Sequence, residues 1–407
     1  MITTTKIKYI AFSGSGTNQR MLLLAGIPFV ALIYHIIAGF PMLHFIHDNI
    51  IDTNTYITAG EQWAHGEIDW LRTPVYPLLV YAMRSLCGDY GVMAVQFALF
   101  VLSAMLLHRT LELMSDKKIA VFFLSAIYAW SFPIYSYVAC IMTENISLAE
   151  EITLLYLIVR TFRGEINIKE SFLMGLMMIL MIFTRPYYIC FLPTLLIMVW
   201  LTRHKLPLRC NIVIFCGLFA STAMYLGYCK IYESKYGIFN SSAVPVINLS
   251  YQLDKLGLID NPAYQIDKEN FDIKEEYDRN LSILKAHRME WLSAEIKATY
   301  TNMKEQIPAG MIGHRVGLLQ NLLAIHLSAG MWSLIVIVFV MVNIRRGLQG
   351  NNVSLQAILA ILYISGMFTS IWGSYSYDCA RLMIPCFPIV ILITNDLLNH
   401  ILSRYYC

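Results

Sequence analysis

Long apolar runs separated by short polar connections dominate the hydropathy pattern of this chain. We predict that ten of these runs cross a bilayer, because a spanning helix needs about 20 mostly apolar residues. They cover 21–40, 90–108, 119–141, 145–160, 171–184, 188–202, 211–229, 329–344, 353–372 and 382–401. The boundaries between 171 and 202 are the least defined. The pattern predicts an all-α, polytopic membrane protein.

Positive charges in alternate connections give the predicted helices an orientation. Lys and Arg are enriched in the inner loops of membrane proteins. If the N-terminus is inside, basic residues fall in every connection predicted to be inside: Arg109, Lys117, Lys118, Arg160, Arg163, Lys169, Arg203, Lys205, Arg209, Arg345, Arg346 and Arg404. This agreement indicates an even number of spans.

The same orientation places the polar 41–89 segment on the outer side. The apolar stretch 75–86 lies within it and is too short to span a bilayer. Counting it as a span would move every later basic loop to the outer side. We therefore predict juxtamembrane helices in this first external loop, with 75–86 lying in the membrane interface.

The composition excludes an ordinary soluble domain. The 407 residues are 57% hydrophobic and 14% charged, whereas soluble domains average about 25% charged residues. Nine scattered cysteines form no CxxC pair, so neither a disulfide framework nor a zinc site is predicted. The expected partners include the lipid bilayer, and no nucleic acid.

We predict three parts: residues 1–229, a transmembrane module that includes the first external loop; 230–328, an external soluble loop; and 329–407, the C-terminal transmembrane helices. Within the external loop, residues 265–307 alternate acids and bases with apolar residues at helical spacing. Two amphipathic helices would explain this pattern. A solvated lid without chemistry is the alternative.

The segment 47–77 concentrates polar and aromatic residues just outside the first predicted span. Its sequence includes Asp52-x-x-x-Tyr56 and ends in Arg72-Thr73-Pro74. A carboxylate can take a proton from a hydroxyl group, and an arginine can hold a phosphate in bidentate fashion. Asp48 lies one helical turn before Asp52, so both could face one cavity.

Further acids and bases sit at other predicted outer turns. Glu144 precedes the fourth span, where it could also be a stabilising charge at a helix N-terminus. Glu150 and Glu151 lie inside that span, as cavity-lining or interfacial groups. Arg185 could bind phosphate or snorkel beside tyrosines. Three later positions complete the set: Arg381, which could instead pair with Asp378, and the weaker candidates His314 and Arg315.

The order and common sidedness of these motifs resemble the GT-C glycosyltransferases that use polyprenyl-phosphate sugars. That family includes the lipid A aminoarabinose transferases and protein O-mannosyltransferases. The resemblance implies Asp52 as catalytic base, with Asp48 as competitor and Glu144 assisting. It implies substrate binding by Arg72, Tyr56, Arg185, Arg381 and Arg315.

The resemblance also implies an inverting transfer to a lipid, glycan or protein acceptor, on the outer face of a bacterial inner membrane. Metal use stays open, since Asp52, Asp48 and Glu144 together would make an oxygen-rich divalent site. One alternative is a lipid-linked glycan flippase, which favours charged or broken helices at mid-bilayer. Another is a surface-polysaccharide polymerase or ligase whose catalytic groups lie in the 230–328 loop.

Overall fold

The computed structural model describes residues 16–37, 50–131, 137–138, 140–244, 329–349, 354–372 and 384–405. Every regular element in these ranges is helical. Several predicted site residues lie outside them: Asp48, His314, Arg315, Asp378 and Arg381. The same holds for most of the predicted external loop, including its two predicted amphipathic helices.

The described α-helices are labelled in chain order. They are α1 (Gly16–Ile37), α2 (Ile50–Ala64), α3 (Val75–Met114), α4 (Lys118–Ala129), α5 (Glu144–Arg163), α6 (Ile168–Thr184), α7 (Phe191–Thr202), α8 (Leu208–Tyr236), α9 (Ala329–Leu348), α10 (Ser354–Trp372) and α11 (Phe387–Tyr405). Short 3₁₀ turns at Pro186–Cys190 and Ile384–Cys386 precede α7 and α11. Within the described ranges, three stretches are long and apolar enough to cross a membrane: Val75–Met114, Leu208–Tyr236 and Ile384–Ser403. The predicted all-α membrane fold is confirmed, while the number of ten spans stays a prediction.

Helix α3 contains a break at Gly88, whose φ of 66° and ψ of −163° are not helical. That conformation is accessible to glycine because it lacks a Cβ atom. The kink separates the predicted interface helix 75–86 from the predicted span 90–108. The two parts of α3 are therefore distinct segments.

Helix α4 is shorter than the predicted span 119–141, because it ends at Ala129. Its 12 residues reach only about 18 Å at 1.5 Å per residue. The sequence continues to Pro133, and the residue before a proline disfavours helical geometry. The continuous apolar run therefore led to a predicted span that is too long, although the proline indicates an earlier helix end.

Helix α5 runs through the centre of the bundle. It packs against α3 and α6, and most of its residues are buried. Because α5 is enclosed, its polar first turn lies among the ends of neighbouring helices.

The predicted inner and outer connections gather at opposite ends of the bundle. At the inner end, Arg163 Nη1 donates to Leu113 O at 2.8 Å, and Lys205 Nζ donates to Phe162 O at 3.3 Å. At the outer end, Tyr232 Oη of α8 donates to Trp70 O at 2.6 Å. Connections assigned to one side by the charge pattern therefore lie together, while the direction in which the protein faces across the membrane stays a prediction.

Two glycines bring α6 and α8 into backbone contact. A Cβ atom on Gly175 would lie 2.7 Å from the Gly217 Cα, and the reverse distance is also 2.7 Å. Ser221 Oγ continues the contact by donating to Gly175 O at 3.4 Å. Small residues of this kind let membrane helices approach closely.

We expect Gly217→Ala to lower the free energy of unfolding by about 1–3 kcal/mol, since overpacking here must displace backbone. Gly227→Ala is the matched control on the same helix, because no atom lies within 4 Å of its added Cβ. The free energy of unfolding of Gly227→Ala should be unchanged or higher, since alanine favours a helix more than glycine does. Unfolding in detergent micelles measures both, and equal losses would contradict the close contact.

Candidate active site

A short turn after α2 is anchored so that it presents Arg72. Asp69 is 4% exposed and accepts hydrogen bonds from the backbone N–H groups of Leu71, at 2.9 Å, and Arg72. Burial raises the pKa of the Asp69 carboxyl, against the effect of these N–H groups. Trp63 Nε1 of α2 donates to Arg72 O at 3.1 Å. Asp69 therefore closes the turn on itself, and Trp63 ties its Arg72 end to α2.

The Arg72 guanidinium makes three contacts with one face of α2. Nη2 lies 2.6 Å from Asp52 Oδ1, Nε donates to Thr55 Oγ1 at 3.0 Å, and Nη1 donates to Tyr56 Oη at 3.2 Å. The guanidinium carbon also lies 4.2 Å from the centroid of the Tyr56 ring. Positions 52, 55 and 56 share a helix face because residues three and four apart are neighbours.

The structure thus brings together three residues that the sequence assigned to the site: Asp52, Tyr56 and Arg72. The side chains of Asp52 and Arg72 keep 27% and 16% exposure, so both remain accessible to a ligand. Thr55 was not predicted to belong to the site. The sequence did contain a signal, because a residue three positions after Asp52 lies on the same helix face.

A second acid–arginine pair joins the start of α5 to the end of α6. Arg185 Nη2 lies 2.7 Å from Glu144 Oε1, and these side chains are only 9% and 2% exposed. Arg185 Nε donates to Thr143 Oγ1 at 2.7 Å. Because Arg185 is buried and paired, it does not snorkel towards solvent. Glu144 does occupy a first helical turn, but it also has this specific partner.

The two acid–arginine pairs are neighbours. Thr73, next to Arg72 in the sequence, contacts Thr184, which is next to Arg185. Thr73 Oγ1 donates to Thr184 O at 3.4 Å, which ties the turn before α3 to the end of α6. Groups from α2, α5 and α6 therefore converge at the end of the bundle that is predicted to be outer.

Glu150 and Glu151 support the segment around Arg185 from inside α5. Thr184 Oγ1 donates to Glu150 Oε1 at 2.7 Å, and Tyr188 Oη donates to Glu151 Oε2 at 3.1 Å. Both glutamates are buried, with 6% and 1% exposure, so they are not interfacial. They hold the residues on either side of Arg185.

Gln96 is a further structural residue that the sequence reasoning missed. It is fully buried in α3, where its Oε1 accepts from Tyr76 Oη at 2.7 Å. Its Nε2 donates to Val138 O at 2.9 Å and Cys140 O at 2.8 Å. These bonds fix the approach to Glu144. A lone glutamine inside an apolar run was the sequence signal.

The described residues do not assemble the oxygen-rich metal site considered above. No group of three or more His, Cys, Asp or Glu side chains suited to a metal occurs among them. Asp52 and Glu144 each face an arginine, and Asp48 lies outside the described ranges.

No protein-family model and no curated protein matches this sequence. A similar solved structure is the crystal structure of the Archaeoglobus fulgidus oligosaccharyltransferase, tethered with an acceptor peptide containing the NVT sequon via a disulfide bond. Its TM-score is 0.50 at 10% identity, over 96% of this chain and 50% of that chain. This chain thus spans about half the length of that enzyme. The similarity shows a shared fold, in keeping with the all-α membrane architecture predicted from the sequence. Membership of the GT-C family stays a prediction.

Proposed function

We propose that this chain is a membrane glycosyltransferase that moves a sugar from a polyprenyl-phosphate carrier to a lipid, glycan or protein acceptor at the outer face. A fold alone permits many functions, so the argument rests on the site. The observation that carries it is the juxtaposition of the Asp52–Arg72 and Glu144–Arg185 pairs at the outer end of the bundle. The GT-C-like architecture supports the same proposal.

In this proposal Asp52 is the general base. It takes the proton of an acceptor hydroxyl as that oxygen bonds to the anomeric carbon. The bond from the anomeric carbon to the phosphate oxygen breaks on the opposite face, which inverts the configuration. The electron pair of the broken bond leaves with the polyprenyl phosphate, whose negative charge an arginine can stabilise.

Arg72 is the proposed phosphate ligand. Its contact with Asp52 in the absence of substrate suggests how donor binding frees the base. The donor phosphate would compete with Asp52 for the same guanidinium. An arginine binds phosphate through paired, charge-assisted hydrogen bonds. Binding of the donor would therefore free the carboxylate to accept a proton.

Arg185 has a different proposed role, because Glu144 and Thr143 already occupy its guanidinium. We assign it to holding the start of α5 against the end of α6, rather than to direct contact with the phosphate. Glu144 then assists by positioning Arg185. Three candidates outside the described ranges, Asp48, Arg315 and Arg381, keep the roles predicted from the sequence.

The test is consumption of a panel of polyprenyl-phosphate sugars by the purified protein with envelope lipid extract. Released polyprenyl phosphate is quantified by mass spectrometry, with heat-denatured protein as control. We expect one donor to be consumed. If none is consumed and vesicles instead show movement of lipid-linked glycans between leaflets, the chain is a transporter. Activity that depends on the 230–328 loop and not on Asp52 would favour the polymerase or ligase alternative.

A further inference from the structure

A cavity separate from the candidate active site lies between α2 and the first part of α3. Its volume is about 330 Å³. Neither Asp52 nor Arg72 is among the residues that line it. The lining includes Ile57, Glu61, Tyr81, Arg84, Ser85 and Asp89. Ligand pockets commonly measure about 300–1,000 Å³, so this cavity can hold a small polar group.

The kink at Gly88 shapes one side of this cavity. Its φ of 66° and ψ of −163° belong to a region that is essentially restricted to glycine. Across the kink, Arg84 Nε donates to Asp89 Oδ1 at 2.6 Å. Strained conformations of this kind cluster at functional sites. The break in α3 thus places a fixed charged pair on the cavity wall.

The cavity presents both a cation and a carboxylate to a ligand. Arg84 contacts Asp89 through Nε. Its two terminal nitrogens donate no hydrogen bond to any other residue in the described part of the chain. The Glu61 carboxylate likewise makes no hydrogen bond or ion pair with the described residues. An anionic group can therefore meet Arg84 while a cationic group meets Glu61.

Exposed apolar side chains near this cavity agree with the interfacial position predicted from the sequence. The first part of α3 exposes the apolar side chains of Leu78 and Leu86, and Tyr90 follows the kink with 74% exposure. Amphipathic helices of this kind lie in the interface, with apolar groups in the acyl region and polar groups among the headgroups. The cavity is therefore accessible to lipid headgroups.

We propose that this cavity binds the headgroup of a zwitterionic phospholipid that carries a primary amine. The phosphate contacts the terminal nitrogens of Arg84, and the ammonium group donates to the Glu61 carboxylate. An ammonium group has three N–H donors. A trimethylated amine has none, so the site distinguishes phosphatidylethanolamine from phosphatidylcholine.

The test measures lipid retained by the full-length protein after equilibration in nanodiscs that contain phosphatidylethanolamine, phosphatidylcholine and phosphatidylglycerol. Native mass spectrometry counts the bound lipids. We expect wild type to retain phosphatidylethanolamine about tenfold over the others, as one charge-assisted hydrogen bond allows. Glu61→Gln should abolish the preference over phosphatidylcholine. Arg84→Gln should reduce retention of all three, and Arg84→Lys should restore part of it.

Glu67→Gln is the matched control, because Glu67 is exposed and does not line the cavity. Equal retention of the amine and trimethylamine lipids by wild type would overturn the proposal. So would a Glu61→Gln variant that behaves like wild type, or equal retention of phosphatidylglycerol that Glu61→Gln leaves unchanged. The readout is lipid binding, so the result is independent of any sugar transfer.

Discussion

Replacing Asp52 with Asn is expected to lower kcat/KM for sugar transfer by about 10²–10⁴-fold, the usual contribution of a general base. The amide has nearly the same shape as the carboxylate, but it cannot take up the acceptor proton. Its oxygen can still accept a hydrogen bond from Arg72, so the turn should keep its place. Because the amide competes less well for the guanidinium, donor binding should be unchanged or tighter. Initial rates across donor concentrations separate these two effects.

The matched control is Asp116→Asn, which removes an exposed carboxylate in the connection at the inner end of the bundle. Its activity should equal that of wild type. An Asp52→Asn form as active as wild type would exclude Asp52 as the base. Asp48 and Glu144 would then be the next substitutions. Equal losses in both variants would point to a general effect on folding.

Removing the Arg185 charge is expected to have the largest effect on stability. Arg185→Met keeps most of the side-chain volume but leaves Glu144, which is 2% exposed, without its cation. Breaking a buried ion pair in this way typically costs about 3–5 kcal/mol, because one charge stays buried without compensation. Equilibrium unfolding in mixed micelles measures the loss. The double variant Glu144→Gln with Arg185→Met should recover a large part of it.

Lys230→Met provides a comparison with an exposed pair. Lys230 Nζ lies 2.6 Å from Glu233 Oε2, but the two side chains are 75% and 36% exposed. Solvent screens such pairs, so the expected loss is about 0–1 kcal/mol. A similar loss from Lys230→Met and Arg185→Met would mean that burial does not govern the strength of the Glu144–Arg185 pair. Absence of recovery in the double variant would contradict a specific Glu144–Arg185 interaction.

The sequence predicted the helical architecture because apolar runs and charged loops are local patterns. Counting charges was enough to separate 75–86 from the span that follows it, and Gly88 marks that boundary in the structure. The end of α4 at Ala129 was missed, since the apolar composition continues beyond it. Apolar composition alone does not determine where a helix ends.

The site was predictable where its chemistry is local. Asp52 and Tyr56 share a helix turn, and Arg72 follows in the same external segment. The partnership of Glu144 with Arg185 was not predictable, since it joins residues on two helices that meet only through packing. The sequence assigned Glu144 and Arg185 separate roles. The structural role of Asp69 was likewise not predictable, because the sequence does not show that this acid is buried and accepts two backbone hydrogen bonds.

The buried acids of α5 have a consequence for how the protein enters the membrane. Glu150 and Glu151 take their hydrogen bonds from Thr184 and Tyr188, which are made later in synthesis. Ionisable side chains within a membrane span are costly to insert unless they face a partner. Helix α5 is therefore a poor substrate for insertion by itself. It should wait beside the insertion machinery until α6 emerges, so that the two helices partition into the lipid as a pair.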